Sequence, residues 1–548
     1  MSQVWSRMLK QVSVLGLAGI LAFTGHGIKS VSAASDDSKS IVDVAFGVYH
    51  SVAAAKDGTV WSWGNNAFGQ LGIGKGTAAS QAPVKVTGID HVIAVDAGSY
   101  YTAALREDGT VWVWGSNLEG ELGDGTYSAL GPPDNTGGKR IADDRNAYKP
   151  QVVPQLTGIV GIRAMSRGTV AWDQAGSLWS WGDSLMGNPY AGMSEEHEKK
   201  KLTPSRNESF SNVKSVAGAD YVLSVLSGDG TIEMQGSNGF GQLGNGERSD
   251  SFGTAHVEGL TNVLRVETTG RTTIAYLNDG KVLEWGQALL ESKGLNPTDP
   301  ATIKQIPVNL KPTATKELQG FSDIQSTIFR FVEPSFLALK PDGTVWTHGD
   351  NAQGQLGLSG IKERYSWGKV DGLPAIAAIN GRGGSSAAIG KDGSVWTWGY
   401  NANGQLGDGT TEKRFTPIAI GGFGNSPSID KAGYQLSVNG KPVKLSVEPE
   451  LNQGTVVMPL TQAVKAYGAK LTWDKNKQTA TVTRGKNKVV LKRNSVQGTV
   501  NGKAVKLPIA TLAKGDDWLL TADWLAKQLG GTAKLDSVKR TLVVVFPK

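Results

Sequence analysis

The chain has 548 residues, a mean hydropathy of −0.22, 72 glycines, 16 tryptophans and no cysteine. The missing thiols exclude disulfides, thiol nucleophiles, redox pairs and cysteine-type zinc sites, and the length allows two sizeable domains. The net charge of +7 hides a division: residues 34–430 carry 33 Lys and Arg against 42 Asp and Glu, whereas residues 431–548 carry 20 against 7. The two parts are therefore expected to meet different partners.

In chain order, Arg7 and Lys10 precede an apolar run from Val12 to Phe23 that is too short to cross a bilayer. Val31-Ser32-Ala33 then offers small residues for cleavage before Ala34. Residues 1–33 are read as a secretion signal, the alternative being an uncleaved anchor. No later segment reaches the roughly 18 apolar residues of a membrane helix. The mature protein is expected to be secreted or associated with the cell surface, without a membrane span.

From residue 41 to 420 one unit recurs. Its clearest copy runs from Ala103 to Gly125: an apolar lead-in, Asp108-Gly109, the strand Val111-Trp112-Val113-Trp114, then Gly115 and a glycine-rich loop. Asp-Gly is a two-residue hairpin signal, predicting a type I′ turn with φ > 0 at both central residues. Equivalent turns begin at Asp57, Ala175, Asp229, Asp279, Asp342 and Asp392, at steps of 51, 67, 54, 50, 63 and 50 residues. Gly-Gln-Leu-Gly follows at Gly69, Gly241, Gly354 and Gly404. The two long steps hold insertions around Pro132 to Asn146 and Gln287 to Lys316. A period of about 50 residues marks a repeat architecture, and about four short strands per unit suit radial repetition that leaves only short edges.

These motifs resemble the regulator of chromosome condensation repeat, whose pattern places a turn before Asp-Gly, then Trp-Gly-x-Asn, then Gly-Gln-Leu-Gly. The resemblance spans roughly residues 41–420 and implies an all-β seven-bladed β-propeller. The first unit begins with Ile41 to Ala45, while Thr416 to Ile420 follows the last unit and matches Ala82 to Val86. The expectation is that this late strand completes the first blade and pins the ring shut.

Residues 421–430 read as a short linker. Beyond them lies a smaller α+β domain, 431–548, with two internal repeats: Leu436 to Leu445 recurs as Thr499 to Leu507, each with Asn-Gly joining two apolar runs. Each copy leads to an apolar helix, Leu460 to Tyr467 before Gly468 and Leu520 to Leu529 before Gly530, and to a closing strand, Thr479 to Thr483 and Thr541 to Phe546. Val438-Asn439-Gly440-Lys441, Met458-Pro459-Leu460 and Gly468 to Asp474 resemble the copper amine oxidase N-terminal-like domain of exported bacterial proteins. Copper chemistry is not carried over, because residues 431–548 contain no histidine. The domain reads as an accessory module, its basic excess suited either to anionic cell-wall polymers or simply to solvation.

No catalytic constellation emerges. The six histidines (His26, His50, His91, His197, His256, His348) have no metal-ligand spacing, and His50 occupies the family's turn position, where a structural hydrogen bond is expected. No Gly-Gln-Leu-Gly loop continues into Lys-Ser/Thr. Asp124-Gly125 and Asp408-Gly409 lack the Asp-x-Asp run of a calcium loop. No Gly-x-Ser-x-Gly elbow or recognisable acid pair is present. The expectation is a protein that is not an enzyme, with no cofactor and no metal.

What varies within the fixed frame is a turn about ten residues before each Asp-Gly. Unit equivalence places these turns on one face around the axis. Their occupants include Tyr49, His50, Tyr100, Tyr101, Arg167, Tyr221, Arg271 and Arg382, and Tyr and Arg are enriched at binding hot spots. The bland alternative is that they cap the channel and bond to neighbouring blades, while the repeated tryptophans pack the blades. Two functions follow. The first is an exported non-catalytic scaffold whose propeller face recognises an extracellular protein or glycan, including enzyme-inhibitor contacts, with the basic domain attached to the envelope. The second is an extracellular polysaccharide-acting hydrolase or lyase. The export signal and acidic repeat region argue against nucleic acid as a partner.

Overall fold

Between Ile41 and Ile420 the chain builds seven four-stranded antiparallel sheets, each from one contiguous stretch. In the computed structural model, described residues are 39–133, 139–183, 202–219, 222–289, 305–327, 335–424, 435–445, 450–452, 455–474, 476–493, 495–507, 511–514, 517–536 and 541–547. The expected signal, Tyr221 and most of the linker lie outside them. Blade 1 shows the plan: Ile41–Phe46, His50–Ala55, Val60–Asn65 and Ala79–Lys85 pair in sequence order. The second strand is fully buried, whereas the fourth is largely exposed. First strands stand side by side around the axis: the Val95 N–H donates to Asp43 and the Ala164 N–H to Asp96. The seven blades form a β-propeller. In blade 2 the insertion adds a hairpin, Ala129–Pro133 with Lys139–Asp143, so Ala147–Val152 is its fourth strand.

The Asp-Gly turns differ from the expected type I′. In the first, Gly58 has φ +79° but Asp57 stays out of the left-handed region, and Gly58 N–H donates to Ala55 C=O. That is a type I turn followed by a left-handed glycine. Its cause is the aspartate, whose Oδ1 accepts from both Thr59 N–H (2.9 Å) and Thr59 Oγ1 (2.6 Å). Thr59 Oγ1 in turn accepts the Trp61 indole N–H. Asp108, Asp342 and Asp392 repeat the arrangement.

Five of the seven blade junctions share one contact. The backbone carbonyl at the Gln position of Gly-Gln-Leu-Gly accepts a hydroxyl, an indole N–H or both from the next blade. Gln355 O takes Ser386 Oγ at 2.9 Å and Trp398 Nε1 at 3.0 Å. Gln405 O takes Ser51 Oγ at 2.7 Å and Trp63 Nε1 at 2.8 Å, joining blade 7 to blade 1. The glycine closing the motif must lack a side chain: a Cβ on Gly357 would stand 3.0 Å from Trp398 Nε1, and its φ is +65°.

Thr416 to Ile420 does not complete blade 1. The strand Arg414–Ile420 pairs with Val395–Gly399, so it is the outer strand of blade 7, as Ala79–Lys85 is of blade 1. Each unit already owns four strands, so no shared sheet is needed. The ring is instead closed by packing. Phe423, buried at 2% exposure, sits edge-on to Trp61 (5.6 Å) and beside Trp63 (6.2 Å), and Gly424 N–H donates to Lys39 C=O.

The C-terminal domain has helices α1 (Leu460–Ala466) and α2 (Ala522–Gln528) and three sheets around one core. Here Asn-Gly does form type I′ hairpins: Asn439 and Gly440 have φ +51° and +77°, Asn501 and Gly502 +50° and +82°. Helix α2 begins two residues later than expected because Leu520 belongs to the strand Asp517–Thr521, paired with Met458. The repeats exchange hairpins. The strand Gln435–Val438 pairs with the closing strand Thr541–Val545 of the second half, whereas the second hairpin extends the five-stranded sheet of the first. The domain meets blades 6 and 7 through Ile418 with Val496 and Leu519, and through Glu412–Arg493 and Asp371–Lys506.

Replacing Phe423 with Ala should lower stability by about 3–5 kcal/mol, as for other buried phenylalanines. Thermal unfolding measures this, and an unchanged midpoint would remove Phe423 from the closure.

Candidate recognition face

In an antiparallel four-stranded blade, the first and third turns leave from one end and the second from the other. The variable turns therefore share a face with the Gly-Gln-Leu-Gly loops, and the Asp-Gly turns lie opposite. On that face Tyr49 (blade 1) and Tyr100 (blade 2) have rings 5.3 Å apart, and Phe68, from the third turn of blade 1, lies 5.0 Å from Tyr100. All three are partly exposed. Beside them the exposed Arg167 pairs with Glu119 at 3.3 Å. Farther round, Arg271 and Arg248 stand over Phe240 at 5.2 and 6.0 Å.

The sequence missed Phe68, Glu119 and Phe240. They occupy the position just before Gly-Gln-Leu-Gly, which holds Gln353 and Asn403 in other blades, so variation within a fixed frame was the available signal.

Two expected face residues are internal. His50 and Tyr101 each begin a second strand and are fully buried. His50 Nε2 bonds to Thr102 Oγ1 at 2.9 Å, and burial, with the charge of Arg382, lowers its pKa to about 3. Tyr101 Oη donates to Gly168 C=O and accepts from Thr169 Oγ1, and burial raises its pKa. Arg382 from blade 7 reaches blades 2 and 3, donating to Ala97 C=O (2.6 Å) and Ser166 Oγ (3.2 Å), so it crosses the channel mouth as a cap. Of the expected residues, Tyr49, Tyr100 and Arg271 are partly exposed and Arg167 is exposed.

Below the mouth the axis is lined by opposite charges. Arg163 lies 3.8 Å from Asp96, and Arg265 bonds to Asp323 at 2.9 Å and lies 3.7 Å from Glu267. Burial raises the pKa of Asp43 to about 6 against the bond from Val95 N–H. These groups hold first strands together and are saturated by one another. Asp124 and Asp408 are likewise committed: each Oδ1 accepts from the N–H and hydroxyl of a threonine two residues on, and Asp408 Oδ2 accepts from the buried Arg414 Nε at 2.6 Å. Among the described residues no His, Asp and Glu cluster could hold a metal ion, and no helix is long and apolar enough to cross a membrane.

A seven-bladed propeller with a variable aromatic and arginine face, carrying a small α+β domain, defines the class. The chain contains regulator of chromosome condensation (RCC1) repeats, matched at residues 41–70, 57–105, 92–121 and 392–436, and a copper amine oxidase N-terminal domain at 437–544. It is 28% identical over 315 residues to human E3 ubiquitin-protein ligase HERC2, covering 56% of this chain and 6% of that protein. It is 31% identical over 259 residues to the Arabidopsis thaliana ultraviolet-B receptor UVR8, covering 45% of this chain and 53% of the receptor. The chain therefore spans about half or less of these relatives. Its fold matches yeast RCC1 (Prp20) solved bound to Kap60, with TM-score 0.54 and 17% identity over 73% of this chain and 91% of that one. It also matches human WBSCR16, with TM-score 0.52 and 19% identity over 66% and 94%.

Glu121 departs from the motif, standing where Gln70, Gln242, Gln355 and Gln405 stand. Like them it accepts the N–H two residues back, from Glu119 at 2.7 Å. Burial raises its pKa to about 7 despite that bond. A carboxyl that holds its proton more tightly folded than unfolded stabilises at low pH, and the benefit is lost as pH rises from about 4.5 through about 7. Glu121→Gln should therefore match the parent at pH 4 and exceed it at pH 8, by up to roughly 3 kcal/mol. Unfolding at the two pH values tests this, and equal stabilities at both would refute it.

Proposed function

We propose that the chain is a non-catalytic binding protein, exported and retained at the cell surface. In this reading the Tyr49, Phe68 and Tyr100 face recognises a protein or glycan, and the basic C-terminal domain attaches to anionic polymers of the envelope. The observation that carries it is the contiguous aromatic patch, contributed by three turns of two blades and flanked by Arg167 and Glu119. His50, Tyr101 and Arg382, a residue or two away from Tyr49, Tyr100 or Arg167 in the repeat frame, are instead consumed by that frame. Large, partly exposed aromatics beside arginine are the composition of binding hot spots. Yeast RCC1 (Prp20), which shares this fold, is solved bound to Kap60, in keeping with a protein-binding role. The axial arginines are paired with carboxylates, Arg163 with Asp96 and Arg265 with Asp323, which supports a structural role for these groups.

The test is capture from culture-medium and envelope fractions with the parent chain and a Tyr49→Ser, Phe68→Ser, Tyr100→Ser variant. Loss of two hot spots at about 2 kcal/mol each should weaken a genuine partner by about 1,000-fold, with thermal unfolding showing that the variant is folded. Partners held equally by both proteins would rule out this face. Turnover of a polysaccharide that the variant loses would favour the enzyme reading.

A further inference from the structure

One face of the five-stranded sheet in the C-terminal domain has a composition that packing does not explain. Register fixes its rows. Lys470, Thr483 and Lys488 lie side by side, then Thr472, Thr481, Val490 and Thr499, then Asp474, Thr479 and Lys492, with Gln497 opposite Lys506. The opposite face carries Ala480, Val482, Val489 and Leu491, all buried in the domain core. The threonine and lysine face is covered by no element of the domain. Where it approaches the propeller, it forms a groove of about 620 Å³ bounded by Asp371 and floored by Val490 and Ala504. That volume lies in the range of ligand sites.

The charges are unbalanced. Asp371 pairs with Lys506 at 3.8 Å, and Asp474 with Lys477 at 3.7 Å. Among the described residues no carboxylate pairs with Lys470, Lys488 or Lys492. Strands lie about 4.8 Å apart, so Lys470 and Lys488, two strands apart, stand about 10 Å from each other. The three cations run from the outer end of the sheet into the groove, an extended track and not a single pocket. Every cation on the track is a lysine. Lysine binds phosphate as a compact point charge, and neighbouring hydroxyl groups can donate to the remaining oxygens.

We propose that this groove and the sheet face leading to it bind one strand of a linear polyol phosphodiester, with phosphates at the lysines, threonine hydroxyls donating to their oxygens, and the polyol over Val490 and Ala504. The proposal rests on the attachment reading above and specifies its ligand and its site.

The probe is poly(glycerol phosphate), titrated into the full-length mature protein at several salt concentrations, with polyglutamate of equal charge as comparator. Lys488→Gln with Lys492→Gln should weaken phosphodiester binding at least tenfold at low salt. It should also reduce the salt slope by about 1.4, at about 0.7 per single-strand phosphate contact. Thr481→Val with Thr499→Val should narrow the preference for phosphodiester over polyglutamate. Lys441→Gln with Lys534→Gln, on a different sheet, should change neither, and thermal midpoints confirm folding of each variant. Polyglutamate bound as tightly by the parent, or equal losses from both lysine pairs, would reduce the effect to bulk charge and overturn the site. Binding to purified envelope that survives the groove substitutions would sink the groove and spare the attachment reading. A parent protein that binds no polyanion at low salt would sink both.

Discussion

A single backbone carbonyl in each Gly-Gln-Leu-Gly loop carries the order of the propeller. It points out of its own blade, and the next blade meets it with a serine or threonine hydroxyl, a tryptophan N–H or both. A buried carbonyl left unpaired costs about 1–3 kcal/mol, so each of the five blades that carry this loop is incomplete until its neighbour is in place. The leucine N–H of the same loop is held by the preceding asparagine: Asn66 to Leu71, Asn351 to Leu356 and Asn401 to Leu406, each at 2.9 Å. The loop is therefore fixed from both sides. Side chains that project from its tip, such as Phe68, are presented by a rigid frame at little further entropic cost.

That frame was legible in the sequence because every part of it is a residue type with one job at one spacing. The Asp-Gly-Thr turn, the buried tryptophan and the glycine against its ring all recur. The closure was not legible. Ala82 to Val86 and Thr416 to Ile420 look alike because both are outer strands, and only the partner decides the blade. Pairing of Arg414–Ile420 with Val395–Gly399 is a three-dimensional fact that one-dimensional likeness cannot supply. The face was legible only as a zone. One residue separates the partly exposed Tyr49 from the buried His50, and Tyr100 from Tyr101. An error of one position at a turn moves a side chain from solvent into the core.

The buried polar groups divide by the same logic. Around the axis, Asp43 and Asp96 each take a backbone N–H from the neighbouring first strand, and Arg163 donates to Gly218 C=O in the blade beyond. Charges used this way position strands, and their mutual neutralisation keeps a charged channel tolerable. Arg382 does the same at the mouth. An arginine within reach of three blades is a brace, and bracing consumes the donors that a partner would need.

Charge also governs how the two domains meet. An acidic propeller attracts a basic domain, yet every side chain in the ion pairs between them is more than a third exposed: Lys506 and Asp371 are 62% and 66% exposed, Arg493 and Glu412 36% and 49%. Pairs of this kind contribute about 0–1 kcal/mol and are screened by salt. Among the described residues the shared apolar contact is Ile418 with Val496 and Leu519. Such an interface positions the C-terminal domain without committing its lysines. Among the described residues Lys506 is the sheet-face lysine paired with a propeller carboxylate, and no carboxylate pairs with Lys470, Lys488 or Lys492. Two domains of opposite charge on one chain thus meet across ion pairs that solvent and salt screen, and the buried charges of the propeller are those that brace its first strands.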